Sequence, residues 1–255
     1  MREHSDADAA RRNDPYGTYA NDYGVFSVPG LIGALPRDAS AAFRILEIGC
    51  CYGHSSAAVK AAYPNAEVVA GDIVAECLVK TKELYPTLET ALINADRELP
   101  FADGEFDYVF SSNLFEHLYD DAAHLAEVRR ILKRGGEYVI STPNLWIELL
   151  YWGLINPEQK TRFRSIWTRL TGSREISHCN LQTVSSLRRR FSRAGFAPRV
   201  QRRDDLSNTE QRKLAGTLEW LPQAAREPAF EVARNLWRNL PPFIQPSIVV
   251  IGKRP

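Results

Sequence analysis

Short, nearly continuous apolar runs alternate with stretches of helical period along the middle of the chain. The runs read as strands at 43–48 (FRILEI), 67–72 (EVVAGD), 89–93 (ETALI), 106–111 (FDYVFS) and 137–142 (EYVIST). Strands this apolar on both sides belong in a sheet covered by helices on its two faces. Helical stretches fall between them near 54–63, 75–85 and 120–133. The last has the clearest signals. Asp120 or Asp121 caps it, Leu125, Val128, Ile131 and Leu132 form its apolar stripe, and Gly135-Gly136 is expected to end it. This strand–helix alternation predicts βαβ units on a mostly parallel, doubly wound α/β sheet.

The pattern changes after Pro143. Residues 145–170, rich in Trp, Leu and Arg, read as an inserted helical segment. A helix follows over 183–194, capped by Thr183 and stopped by Gly195. Two late strands, near 196–202 and 247–252, flank a helical region near 208–240 and bring the expected total to seven. No internal repeat interrupts this order.

Composition narrows the function classes only slightly. With 255 residues, 44% hydrophobic, the chain can bury a substantial core, and a formal net charge of +1 makes no overall case for nucleic acid or membrane. Basic residues are concentrated between Lys160 and Arg203, where twelve Lys or Arg accompany a single acid, Glu175. A solvated face is the ordinary meaning of such a run, and attraction of an anionic partner is the functional one. Cys50, Cys51, Cys77 and Cys179 match neither a disulfide framework nor zinc spacing, so no metal is expected and the cysteines read as reduced. Residues 1–14 are polar and read as a loose tail with no signal peptide. No run approaches the ~20 apolar residues of a membrane span, so the expected location is the cytoplasm.

The densest chemical signal is ILEIGCCYGHSS at 45–56. A strand carrying Glu47 turns through Gly49 and Gly53 into a helix, and glycines there let a ligand approach the backbone. Nineteen residues beyond Gly53 the next strand ends in Asp72, an acid placed to accept both hydroxyls of a ribose. A dinucleotide fingerprint would need three glycines, but its positions hold Gly49, Cys51 and His54. This argues against a nicotinamide oxidoreductase and for a nucleoside ligand without a pyrophosphate.

At these residues the chain resembles class I S-adenosylmethionine-dependent methyltransferases, especially the broad branch around ubiquinone and menaquinone biosynthesis. Residues 45–56 resemble the family's first motif and Asp72 the acid of its second. NADRELPFADGEFDYVFSSNLFEHL (94–118) resembles its "D…LPF…FD…EH" block, and EVRRILKRGGEYVISTPN (127–144) its "RvLkpGG" hairpin. LQTVSSLRRRFSRAGF (181–196) resembles a common family ending. The resemblance implies a Rossmann-like methyltransferase fold with an antiparallel last strand. It also implies S-adenosyl-L-methionine as cofactor and S-adenosyl-L-homocysteine as product.

Carried across by position, Glu47, Gly49 and Gly53 would hold the methionine end. Cys51, standing where the family has its middle glycine, would adjoin it. Asp72 and Ile73 would take the ribose and stack on adenine, with Asp96 and Arg97 framing the base. Asn113 and Phe115 would line the sulfonium region. Asp107 reads as a structural partner at a strand start. Similar N-terminal segments close over the cofactor as a lid, which gives Tyr23, beside Tyr16, Tyr19 and Phe26, a shielding role.

A base is needed only if the acceptor has a proton to lose, and histidine, with an ordinary pKa of about 6.5, suits that role. His178, in the polar loop SREISHCN, is the first candidate and His117 the second. His4 lies in the tail, His54 starts a helix, and His124 is expected to be exposed on its helix face. Residues 145–180 are expected to form the acceptor side, where Trp146, Trp152 and Trp167 beside arginines suit an aromatic or anionic small molecule. This favours O-methylation of a natural product or sugar-like compound within a methyltransferase domain over 15–255, with a homodimer compatible. An RNA-directed enzyme using 160–203 and a non-catalytic binding protein remain the alternatives. The place after the fourth strand reads SSNL rather than the Asp/Asn-Pro-Pro-Tyr/Phe of amino-directed nucleic-acid enzymes, and no Pro-Cys nucleophile occurs.

Overall fold

The apolar runs form seven strands of one sheet: β1 (Arg44–Ile48), β2 (Glu67–Asp72), β3 (Glu89–Leu92), β4 (Phe106–Ser112), β5 (Leu132–Pro143), β6 (Ala197–Gln201) and β7 (Ser247–Lys253). A computed structural model describes residues 31, 35–150, 180–201, 218, 221–245 and 247–255. The tail at 1–14, the aromatic segment at 15–30, Trp152, Trp167, His178 and Cys179 lie outside the described residues. Most of the basic run before Arg188 lies outside them as well.

The strand order is β3-β2-β1-β4-β5-β7-β6. The first five strands pair in parallel, and β7 runs antiparallel between β5 and β6. Winding proceeds outward from β1 through β2 to β3, then restarts at β4 and moves the other way. The switch point therefore lies between β1 and β4, and the crevice at the carboxyl ends of those strands is where such sheets bind ligands.

Side chains alternate across the sheet as the strand period requires. Leu46, Ile48, Val109, Tyr138, Ile140 and Val250 join one core layer, whereas Ile45, Val68, Phe110, Val139, Val249 and Ile251 join the other. Helix α1 (His54–Ala62) contributes Val59 to the second layer. Helix α3 (Asp121–Ile131) gives Leu125, Val128 and Ile131 to the first layer, and α5 (Val184–Arg193) adds Leu187 and Phe191. Helix α2 (Ala75–Leu84) sets Leu78 against Cys50 and Ala70. The short α4 (Leu145–Leu150) follows β5, and α6 (Gln223–Arg238) precedes β7. Among the described residues no helix is long and apolar enough to cross a membrane.

Local chemistry accounts for the helix starts. Asp120 caps α3 by accepting from the Ala123 N–H at 2.9 Å. Thr183 and Ser186 form a reciprocal capping box at α5, satisfying N–H groups that the first turn leaves open.

Two expectations are corrected. Gly135-Gly136 does not end α3. The helix stops at Ile131, and Leu132 is already extended and paired with Phe106. Fully buried Leu132 commits the chain to the sheet before the glycines are reached. Gly135, at φ +83°, then lets β5 bulge, and the pair exchanges backbone bonds of 2.8 Å with Arg254. His124 is buried rather than exposed. Its Nδ1 lies 3.0 Å from the Ala95 carbonyl and its Nε2 2.9 Å from the Tyr138 hydroxyl, which reaches Ser111 at 2.8 Å. Burial first, against the help of the Ala95 carbonyl, pushes its pKa down to about 4. The imidazole is thus a neutral link in a buried chain.

Candidate active site

The loop after β1 is built almost entirely by its own backbone. The N–H groups of Gly49 and Cys50 both donate to the Gly71 carbonyl, at 2.8 and 2.9 Å, which anchors the loop to β2. Gly49, Cys51 and Gly53 all take positive φ, at 81, 49 and 72°. At Gly53 glycine is required twice over. The conformation is left-handed, and a Cβ there would stand 2.5 Å from the Thr81 methyl. Cys51 adopts the same region as a non-glycine residue, so the loop carries some backbone strain.

Two acids flank this loop. Asp72 is 8% exposed, and its carboxylate accepts from the Cys51 N–H at 2.8 Å and the Val74 N–H at 2.9 Å, one bond to each oxygen. Each oxygen keeps acceptor capacity toward the crevice, which suits a vicinal diol. Glu47 is 2% exposed and accepts from the Ser56 hydroxyl at 2.5 Å. Burial pushes its pKa up to about 8, opposed by the Ser56 bonds and reinforced by Asp72. At neutral pH it is largely a carboxylic acid, and a ligand ammonium beside it would draw out the carboxylate.

The remaining expected cofactor residues separate into those at the crevice and those in the core. Ile73 is 61% exposed directly after Asp72, an apolar side chain open to a flat base. Asp96 uses Oδ1 to accept from the Tyr119 and Asp120 N–H groups at 3.0 and 3.1 Å, tying the 94–97 turn to the start of α3. Arg97 is exposed, and its N–H donates to the Asn94 carbonyl at 3.0 Å. Asn94 also accepts from the Asp96 N–H through its side chain at 3.0 Å. Asn113 stands at the end of β4 with φ +50°, and its N–H donates to the Ser141 carbonyl at 2.8 Å. Asparagine tolerates that conformation better than most residues.

Phe115 departs from the expectation. Its ring is fully buried with centroids 6.4 Å from both His124 and Phe191, so it belongs to the core beneath the crevice. Apolar contact area favours that place over the polar rim. Its neighbour Leu114 lies over the loop instead, with Cδ1 3.2 Å from where a Gly49 Cβ would be. Of the proposed bases, His117 is exposed on the 3₁₀ turn Phe115–His117, while His178, like Tyr23, lies outside the described residues.

A second group of polar residues was not anticipated. Asn180 donates its N–H to the Glu116 carbonyl at 2.8 Å, and its side-chain amide donates to the Phe115 carbonyl at 3.2 Å and to Asp121 at 2.8 Å. Thr142 donates to the Glu116 carboxylate at 2.9 Å, and Gln182 donates to the Asn180 side chain at 2.5 Å. Arg190 closes the cluster with an ion pair to Asp121. These groups clamp the turn that presents His117. Asp107 proves structural as expected, accepting from the Arg44 N–H at 2.9 Å and pairing with Lys133.

Residues 46–140, from β1 through most of β5, match the methyltransferase domain family. Over those residues the chain is similar to a methyltransferase domain. A probable S-adenosylmethionine-dependent methyltransferase of Mycobacterium tuberculosis is 32% identical over 100 residues, covering 39% of this chain and 35% of the relative. A ubiquinone/menaquinone biosynthesis C-methyltransferase of Desulfotalea psychrophila is 32% identical over 98 residues, covering 38% of this chain and 39% of the relative. The chain thus spans about a third of the length of the curated relatives it matches. The putative methyltransferase solved with the Trm112 activator from Haloferax volcanii shares the fold at TM-score 0.59 and 18% identity, covering 98% of this chain and 95% of its own. The matched residues include the loop and both flanking acids, whereas Asn180, Gln182 and Arg190 lie beyond them.

Proposed function

We propose that the chain is an S-adenosylmethionine-dependent methyltransferase acting on the hydroxyl of a small-molecule acceptor. The observation that carries this reading is the pair Glu47 and Asp72, two buried acids on either side of a left-handed loop at the switch point of the sheet. Glu47 would receive the ammonium of the methionine end and Asp72 the ribose diol. Ile73 would cover one face of the adenine, with Asp96 and Arg97 at its edge. Leu114 and Asn113 would border the sulfonium region. When bound, the cofactor supplies an electrophilic methyl group that leaves a neutral thioether after in-line attack.

The protein's share of the chemistry is alignment and exclusion of water. The acceptor side is assigned to the turn that presents His117 and to Trp146, which is 57% exposed at the start of α4. His117 is exposed and takes the hydroxyl proton as the methyl group is transferred, with His178 as the other candidate base. Cys50, Cys51 and Cys77 are free thiols, which fits the cytoplasm.

The test is label transfer. The purified chain is incubated with methyl-labelled S-adenosylmethionine and a panel of phenols, hydroxy acids and sugar-like alcohols. Label should appear on a compound of the panel, and His117→Ala should lower kcat by about 10²-fold or more, the usual worth of a positioned base. Label found only on RNA, and lost steeply as salt rises, would overturn the small-molecule reading in favour of the exposed arginines of α5.

A further inference from the structure

Three free cysteines meet at the loop after β1. Cys50 and Cys77 are buried, and Cys51 is partly exposed. Cys77 lies in the first turn of α2, and Thr81, one turn further on, ties the two segments together. The Thr81 hydroxyl stands 2.9 Å from the Cys77 carbonyl and 3.0 Å from the Cys51 carbonyl, sharing its proton between them. The Cys51 and Cys77 thiols thus come close enough for each to influence the other's protonation. Cys50 takes no part in that pair, because its thiol donates to the Cys51 carbonyl at 3.5 Å.

We propose that Cys51 and Cys77 are a modification site, a thiol pair that hydrogen peroxide closes to a reversible disulfide and that loosens the cofactor loop when closed. Cys51, the more exposed thiol, attacks the peroxide oxygen as thiolate. The O–O bond breaks, and a sulfenic acid and water result. Cys77 then attacks the sulfenic sulfur, the S–S bond forms, and the sulfenic oxygen leaves as a second water. Two S–H bonds are thus oxidised and one peroxide is reduced. Burial raises both thiol pKa values, that of Cys77 to about 12, with Asp72 from β2, Glu47 from β1 and Glu76 from α2 acting in the same direction. Oxidation is therefore slow at neutral pH, as suits a response to sustained peroxide rather than a catalytic step.

The consequence for the site follows from one hydrogen bond. A sulfur–sulfur bond, about 2.05 Å, is much shorter than any non-bonded contact between two sulfurs, so closure draws Cys51 toward α2. The Cys51 N–H is the group held by Asp72 at 2.8 Å, and pulling it away disturbs the carboxylate assigned to the ribose. This second step rests on the cofactor reading above, whereas the disulfide itself does not. Linkage is reciprocal, so a tenfold weaker affinity in the disulfide form means that the bound nucleoside makes the pair harder to oxidise by ~30 mV.

The full chain is treated with hydrogen peroxide, remaining thiols are blocked, and the digest is mapped by mass spectrometry. S-adenosylhomocysteine affinity is measured before and after. The expected result is a cross-link to the Cys77 peptide that persists in Cys50→Ser and vanishes in Cys51→Ser and in Cys77→Ser. Affinity should fall about tenfold on oxidation of the parent, return with a dithiol reductant, and stay constant in Cys77→Ser. A cross-link that survives Cys51→Ser, or none at all, overturns the assignment. A correct cross-link with unchanged affinity overturns the coupling. If neither redox form binds the nucleoside, the cofactor reading fails while the peptide map still decides the disulfide.

Discussion

At the carboxyl ends of β1 and β2 the site is made by loop backbone and two carboxylates that lie within one βαβ unit, Glu47 and Asp72. Beyond β4 and β5 it is made by side chains from distant parts of the chain: Glu116 and Asp121, Thr142 and Asn144, then Asn180, Gln182 and Arg190. On the proposed reading, the first region would bind a ligand by what the backbone leaves open. The second holds a turn in place by closing its own polar groups on one another, Asn144 included, whose amide donates to the carbonyls of Phe243 and Gln245 at 3.0 and 2.8 Å. The family match ends at residue 140, close to where the second region begins to draw on later parts of the chain.

Substitutions should affect the two regions in different ways. Asp121→Ala removes the partner of both Arg190 and Asn180 in a mostly buried cluster and should cost about 2–3 kcal/mol. Denaturant unfolding would show it, and S-adenosylhomocysteine affinity should change much less than stability. Comparable losses of both would mean that the regions are not separable.

His124 gives an effect of similar size that depends on pH. Its folded pKa of about 4 lies below the ordinary 6.5, so the unfolded chain binds the extra proton. Stability should be complete above pH 6.5 and fall by at most ~1.4 kcal/mol per pH unit down to about 4. His124→Gln should flatten that slope, and an unchanged slope would assign it to other groups.

Glu47 works in the opposite sense. Its folded pKa of about 8 exceeds the ordinary 4.5, so its contribution to stability is full below 4.5 and lost as pH rises through 8. Binding of an ammonium ligand favours the carboxylate, so affinity for S-adenosylhomocysteine should rise with pH toward 8, and Glu47→Gln should remove the dependence. Affinity independent of pH in the parent would mean that the ammonium does not reach Glu47. The smallest effect is expected at Cys51, where Cys51→Gly relieves left-handed strain and should stabilise by about 1 kcal/mol or less.

The first region was legible in the sequence because its parts are local. Glu47, Gly49, Gly53 and Asp72 fall within two strands and one turn, and the apolar runs placed all seven strands. The second region was not legible, because nothing in the local pattern brings Asn180 to Glu116 from so far along the chain. His124 was a partial miss with a visible signal. It shares its stripe with Val128 and Ile131 at helical spacing, but its polarity argued for water until Tyr138 supplied a buried partner. Phe115 gave no such signal, since a three-residue turn has no period to say which way a ring points. Gly135-Gly136 looked like a helix stop because glycine favours both that place and a bulge. Burial of Leu132 in the sheet decided between them.

The most direct test of the account is calorimetric titration of the folded chain with S-adenosylhomocysteine, beside Asp72→Asn. The account predicts one site per chain in the parent and a loss of about 10- to 100-fold in the variant, the worth of charge-assisted bonds to a ribose diol. No binding by a parent with intact cooperative unfolding, or equal binding by the two proteins, would contradict it.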